Sequence, residues 1–306
     1  MNILVSGSSG LIGTALVPAL MARGHRIARL VRPPGPSAPD QVAWDPAAGQ
    51  IDARAIEEID ATIHLAGESI AAGRWTAARK ARIRDSRVQG TGLLAGALAR
   101  LTRKPETLIC ASATGYYGDR GDEILVEESA PGAGFLADLC REWEAAAEPA
   151  RAAGIRVAHL RSGVVLSPTG GALARLMPVF RRGLGGRLGN GRQFMPWITL
   201  DDEIEAIVHV LTRGDLRGPV NLVSPIPVTN REFTAALGRV LRRPTLFPVP
   251  EGILRLALGE VAGELFASQR VHPARLLGTG YAFRHPELEG GLRRLIEPIA
   301  APRLPA

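Results

Sequence analysis

Lysine is nearly missing from this chain: of 37 basic residues, only Lys80 and Lys104 are lysine. Cysteine is limited to Cys110 and Cys140, and tyrosine to Tyr116, Tyr117 and Tyr281. Two cysteines argue against a disulfide scaffold and suit a reducing cytoplasm. Neither has a metal-ligand spacing, and the six histidines are scattered, so no metal site is expected. No apolar run approaches the roughly 18 residues of a membrane span. Gly7, Ser8 and Ser9 interrupt the first apolar stretch before it resembles a signal segment. A cytoplasmic protein with no membrane partner is the expectation.

At 306 residues the chain can hold one large domain or two intimately joined ones. Hydrophobic content of 46% and charged content of 22% are ordinary for a globular protein. A net charge of +7 raises the question of nucleic acid. The excess is almost all arginine, in a chain dominated by alanine, glycine, proline and arginine, a pattern of GC-rich coding rather than of a basic surface. The expected partner is a small-molecule substrate, not a nucleic acid, and the expected state a monomer or homodimer.

What is present begins at the N-terminus. Ile3 to Val5 reads as a buried parallel strand, broken by glycines at 7, 10 and 13, and followed by a helical pattern from Leu11 to Arg23. Strand, tight turn and helix in that order place a helix N-terminus where it can hold a phosphate. Glycine is required where a Cβ would block positive φ or keep the backbone from a ligand. Gly7, Gly10, Leu11, Ile12 and Gly13 are the candidate pyrophosphate contacts.

Gly24 stops the first helix, and His25 to Val31 reads as the second strand. Pro33, Pro34, Pro36 and Pro39 then make a loop. Ala61 to Leu65 is a strand, Thr76 to Arg103 a helix, Thr107 to Ala111 a strand, Phe135 to Ala153 a helix and Ile155 to Leu160 a strand. Strands alternating with helices predict an α/β fold, a Rossmann-type doubly wound parallel sheet with a smaller C-terminal substrate lobe. The division expected is an NADP-binding domain over 1–165, to which later segments return, and a lobe over 166–306 that includes a helical domain over 245–298. Within that lobe, Gly183 to Gly191 reads as a mobile loop. Asp201 opens a helix, Val220 to Val223 is a strand, and Thr229 to Glu232 is a capping box.

Cofactor choice follows from the end of the second strand. An acidic residue about twenty positions past the glycines would hold the ribose 2′-hydroxyl of NAD. Here Arg29 and Arg32 occupy that region, with no carboxylate before Asp40. A guanidinium binds a 2′-phosphate bidentately, so NADP is expected, with Arg32 the sharper candidate.

The glycine turn, His64-Leu-Ala-Gly67 and Ser112-Ala-Thr-Gly-Tyr-Tyr-Gly118 resemble the extended short-chain dehydrogenase/reductases, the NAD(P)-dependent epimerase/dehydratase superfamily. Ala66-Gly-Glu-Ser-Ile70, Arg74-Trp-Thr76, Ser86-Arg87, Arg161-Ser-Gly-Val-Val-Leu166, Pro196-Trp-Ile198, Asp201-Asp202 and Gln269-Arg-Val-His-Pro273 resemble its epimerase-like branch with a C-terminal domain of unknown function. The resemblance covers nearly the whole chain and implies NADP as cofactor. It further implies that Leu65, Ala66 and Gly67 line the cofactor, that Arg87 reaches it, and that Val164 contacts its nicotinamide end.

Such reductases use a Ser/Thr, a Tyr and a Lys four residues after the Tyr. The residues four past the tyrosines here are Arg120, Gly121 and His285, and alignment on Glu144 puts Leu136 and Cys140 where the pair belongs. The usual dyad is absent. Ser112, Tyr116 and Tyr117, just past a strand's carboxyl end, are the replacement candidates for acid and carbonyl binding. The expected activity is an oxidoreductase or epimerase reaction, hydride transfer on a sugar-like or other small hydroxyl or carbonyl compound. The alternative is a non-catalytic NADP-binding redox-sensing or assembly module.

Overall fold

Ile3, Leu4 and Val5 have no exposed surface, as a parallel strand covered on both faces requires. They form β1 (Asn2–Ser6) in the computed structural model, which describes residues 1–33 and 35–297. α1 (Leu11–Met21) and β2 (Arg26–Val31) follow, then β3 (Gln41–Asp45), β4 (Gln50–Ile51) and β5 (Ala61–His64). The chain continues through α2 (Ala77–Arg100), β6 (Thr107–Ala113), β7 (Ile124–Leu125), α3 (Phe135–Ala145), α4 (Glu148–Ala152) and β8 (Arg156–Ser162). Next are β9 (Val164–Leu166), α5 (Gly171–Arg181), β10 (Phe194–Met195), β11 (Trp197–Thr199), α6 (Leu200–Thr212) and β12 (Gly218–Leu222). The last stretch holds β13 (Val228–Thr229), α7 (Asn230–Leu241), α8 (Glu251–Leu258), α9 (Val261–Phe266), β14 (Arg270–Val271), α10 (Ala274–Gly278) and α11 (Leu288–Ile296).

The main sheet runs β12-β8-β6-β5-β1-β2-β3-β4 and is parallel except for the antiparallel β3–β4 edge. This is the doubly wound α/β arrangement, with the chain reversing direction across the sheet between β1 and β5. Leu16 and Leu20 of α1 join Ile204, Ile207 and Val210 of α6 against one face. Leu94 and Leu98 of α2 and Ala150 of α4 cover the other. A separate core of α5, α7, α11 and Trp197 forms the lobe beside the carboxyl edge.

Several sequence readings change in detail. The helix expected over 135–153 is two helices, α3 and α4, because Pro149 sits in the first turn of a new one. β3 goes unread after four prolines, although Val42 and Trp44 alternate with less buried neighbours in strand fashion. The capping box is present: Thr229 accepts from Glu232 N, and the Glu232 carboxyl reaches back to Thr229 N. The glycines at 183–191 serve close approach: a Cβ on Gly186 would fall 1.6 Å from Phe247 O, and one on Gly185 2.5 Å from the Phe180 ring. Trp197 is 1% exposed and belongs to the lobe core.

Candidate cofactor and active site

The glycine turn is built by backbone contact. Gly7 has φ +69°, and a Cβ there would come within 2.7 Å of Leu65 C and 2.8 Å of Ala66 N. A Cβ on Gly13 would lie 2.2 Å from Gly7 O. The loop after β5 and the first turn of α1 therefore both rest on this turn, and no larger residue fits. Gly10 is the N-cap of α1; no side chain caps it and no acidic residue occupies the first turn. The amides of Leu11, Ile12 and Gly13 thus open the helix with its positive dipole end available to an anion.

The two candidate arginines divide. Arg29 is held by Asp40, Nε to Oδ2 at 2.7 Å and Nη2 to Oδ1 at 2.9 Å. That hydrogen bonding holds the Asp40 carboxyl below its usual range. Arg32, just past β2, is exposed and has no side-chain partner among the described residues. A depression of about 480 Å³ lined by Val31, Pro33, Trp44, Asp45 and Gln50 opens beside it.

After β5 the backbone is clamped from below and beside. Ser6 Oγ accepts from Leu65 N at 3.2 Å and Ala66 N at 3.3 Å and sits 2.6 Å from His64 Nδ1. Burial pushes the His64 imidazole down to about 4, so it is neutral. The Arg87 guanidinium lies against Gly67, where a Cβ would meet its Cζ at 3.1 Å. It donates to Glu68 O at 2.9 Å and lies 4.9 Å from the Trp143 ring centre. The next carbonyls each take one donor: Ser69 from Arg79, Ile70 from Trp75 Nε1 and Ala71 from Arg175. Arg74 donates to Leu256 O and Ala257 O, Lys80 pairs with Glu260, and Arg84 with Glu142. Much of the basic run on α2 is engaged in holding this loop and its neighbours.

At the end of β6 the three carboxyl-edge candidates have different surroundings. Ser112 is 5% exposed and donates to Glu144 Oε1 at 2.7 Å. Tyr117 is fully buried; its hydroxyl donates to Asn221 Oδ1 at 2.7 Å and accepts from Arg161 Nη1 at 3.1 Å. Burial pushes that phenol up to about 12. Tyr116 is half-buried, with the Arg161 guanidinium 3.4 Å over its ring and no partner on its hydroxyl among the described residues. Arg161 itself clasps both Glu144 oxygens, at 2.8 and 2.9 Å.

The usual dyad's positions form an apolar wall. Leu136 packs on Gly115, and Cys140 Sγ lies 3.7 Å from Ala113 O. Burial pushes the Cys140 thiol up to about 12, which removes it as a nucleophile at neutral pH. Just past β8, Val164 is half-buried, pairs in register with Trp197, and donates its N–H to Pro196 O at 2.8 Å.

One group at this edge escapes the sequence reading. Glu203, in the first turn of α6, is fully buried and accepts from Ser162 Oγ at 2.7 Å, while its Oε2 has no partner. A signal exists: Glu203 shares the buried stripe of α6 with Ala206, Ile207 and Val210. Asp201 and Asp202 immediately before it disguise the residue as one more helix-start acid.

Residues 3–222 match the model of the NAD dependent epimerase/dehydratase family, and residues 249–295 that of a domain of unknown function, DUF1731. The epimerase family protein Mb2239 of Mycobacterium bovis is 46% identical over 284 residues, covering 92% of this chain and 93% of that protein. The crystal structure of human epimerase family protein SDR39U1 (isoform 2) with NADPH superposes with a TM-score of 0.87 at 34% identity, over 96% of this chain and 99% of that one. A nucleoside-diphosphate sugar epimerase from Corynebacterium glutamicum superposes with a TM-score of 0.80 at 35% identity, over 96% of this chain and 58% of that one.

Proposed function

The chain belongs to the NAD dependent epimerase/dehydratase family, in the branch that carries DUF1731, and on that premise we propose that it binds NADP(H) for hydride transfer on a sugar-like or other small hydroxyl or carbonyl compound. The observation that carries this reading is the uncapped start of α1 at Gly10, together with the exposed Arg32 that follows β2, the strand paired with β1. The amides at Leu11, Ile12 and Gly13 would hold the pyrophosphate, and Gly7 lets the backbone come close enough. Arg32 would take the ribose 2′-phosphate, because Asp40 already neutralises Arg29. Leu65, Ala66 and Gly67 would form the wall of the groove, Arg87 would reach the cofactor from α2, and Val164 would meet its nicotinamide end. When bound, NADPH supplies a hydride. The NADPH in the human relative's crystal structure supports the same choice of cofactor.

Titration with NADPH and NADH under identical conditions tests the reading. NADPH should bind about 10- to 100-fold tighter, the worth of one charge-assisted bidentate contact. Arg32→Ala should remove most of that preference and leave NADH binding nearly unchanged. Equal or tighter binding of NADH by the wild-type protein overturns the assignment.

Of the three replacement candidates at the carboxyl edge, Tyr116 has the free hydroxyl, whereas Ser112 and Tyr117 are committed to Glu144 and Asn221. A second reading, an NADP-binding module without turnover, is favoured by one observation: Leu136 and Cys140 leave no acid where the dyad belongs. Stopped-flow reduction of bound NADP by candidate metabolites separates the two. Hydride exchange supports the enzyme, and tight binding with none across a broad panel supports the module.

A further inference from the structure

Ser162 is the last residue of β8, half-buried at the carboxyl edge, in register with Ala113 on one side and Leu222 on the other. Val164, the residue assigned above to the nicotinamide end, is two positions further on. Behind Ser162 lies Glu203, without exposed surface, linked to it by the 2.7 Å hydrogen bond to Oε1. Its second oxygen, Oε2, is buried and unpartnered. An ionised carboxylate with a bare oxygen in such a place has a large desolvation cost, and the neutral acid avoids most of it. A neutral acid behind a partly exposed hydroxyl at the carboxyl edge of a sheet is the arrangement of a proton relay.

Among the described residues, no other ionisable group on this face of the sheet competes for this proton. α1, packed on the same sheet face, has no titratable residue between Leu11 and Met21. On α6, Asp202 is occupied by Thr199 Oγ1 and the amides of Arg284 and His285, and Glu205 by Arg23 and Arg284. Asp201 is half-exposed near His285. Tyr281 donates its hydroxyl to Asp202 O. Arg161 and Cys110 face the other side of the sheet, toward Glu144 and α2. Burial accordingly pushes the Glu203 carboxyl up to about 8, with the Ser162 hydrogen bond opposing.

We propose that Ser162 and Glu203 are the proton-transfer pair of this cleft, Ser162 as the catalytic hydroxyl and Glu203 as the positioning residue that reloads it. The proposal rests on the hydride-transfer reading above. As a substrate carbonyl carbon accepts a hydride, the π pair of the C=O bond moves to its oxygen, which takes the Ser162 proton. Ser162 Oγ takes the proton of the Glu203 carboxyl, and the carboxylate is reprotonated from solvent. In the reverse direction each proton moves the other way. This supplies the acid that Leu136 and Cys140 cannot.

Calorimetric binding of NADP⁺ and NADPH to the full chain, in buffers of different ionisation enthalpy, counts the protons released. An oxidised nicotinamide is cationic and should expel the Glu203 proton, so NADP⁺ should release up to about one proton at neutral pH and NADPH almost none. Glu203→Gln keeps a group able to bond Ser162 and should bind NADPH within about threefold of wild type and NADP⁺ about tenfold more weakly, while abolishing the difference in proton release. Ser162→Ala removes a bond that lowers the carboxyl's pKa, so its proton release should move to higher pH; this variant keeps the test decisive should the glutamine variant not fold. Equal proton release by wild type and Glu203→Gln, or an unshifted profile in Ser162→Ala, overturns the pair. Absence of any binding heat for either cofactor overturns the NADP(H) reading instead.

Discussion

Arg161 and Ser162 are neighbours on β8 and point to opposite faces of the sheet, each toward a buried glutamate. On the Arg161 side the charge is kept and nearly every atom is matched. The guanidinium spans both oxygens of Glu144, donates to Tyr117 Oη and Glu127 O, and stacks on Tyr116. Ser112 and Asn221 tie the same cluster to β6 and β12, and the amide of Arg275 tethers Glu127 to the start of α10. Its bare atoms, Glu127 Oε2 and His159 Nδ1, are a step removed from the ion pair. On the Ser162 side there is no cation, a single hydrogen bond and an unmatched oxygen in the middle. Burying a charge requires a complete set of partners, and a group denied them is buried neutral. The first arrangement fixes geometry; the second leaves a proton that can move.

Removing Arg161 should have the largest effect. Arg161→Met leaves the largely buried Glu144 without its cation, with Oε2 unpaired and only the Ser112 hydroxyl on Oε1, and should lower unfolding free energy by about 3–5 kcal/mol in urea denaturation. The double variant with Glu144→Leu should recover much of that loss, because the uncompensated charge is then gone. A single-variant loss below about 1 kcal/mol, typical of an exposed pair, would mean that the ion pair does not hold this edge together.

Glu203 should show itself in the pH dependence of stability. Its folded value, near 8, lies above the ordinary value of 4.5. Between those limits the folded chain keeps a proton that the unfolded chain has lost. Glu203's contribution is thus fully present below 4.5 and fades as pH rises toward 8, at about 1.4 kcal/mol per pH unit. His64 works in the opposite sense: its folded value near 4 lies below 6.5, so the stability it contributes is present above 6.5 and lost toward 4. Above 6.5 the Glu203 slope stands free of that compensation. Unfolding measured at several pH values should show wild type losing stability relative to Glu203→Gln as pH rises from 6.5 toward 8. A difference flat across that range would mean Glu203 is already ionised in the folded chain.

How far the sequence discloses all this depends on the range of the interaction. The glycine turn is legible because it is local: Gly7, Gly10 and Gly13 and the helix pattern after them specify strand, turn and helix within a few residues. The capping box at Thr229 is legible for the same reason. The doubly wound order follows from strands and helices alternating in sequence. β3 is lost behind four prolines, and the break before Pro149 is hidden in an alanine-rich run that favours helix throughout. The roles of Ser112 and Tyr117 depend on Glu144, Arg161 and Asn221, which lie 32 to 104 residues away along the chain. No local pattern carries contacts of that range. Glu203 is the intermediate case: its spacing with Ile207 and Val210 marks the buried stripe, but its partner Ser162 is 41 residues distant.

Tyr117→Phe is the mildest test of the paired side and the one that separates strut from catalyst. The substitution keeps the ring in its pocket and removes one hydroxyl. Asn221 Oδ1 loses its donor and Arg161 Nη1 loses one acceptor, but that nitrogen keeps Glu127 O and the guanidinium keeps both Glu144 oxygens. A net loss of about 1 kcal/mol in thermal or urea unfolding is expected, with NADPH affinity unchanged within about twofold. The phenol is fully buried and pushed up to about 12, so its removal should leave any turnover and its pH profile in place. The reverse pattern, unchanged stability with turnover reduced by about 100-fold or more, would move the acid to this side of the sheet and away from Ser162.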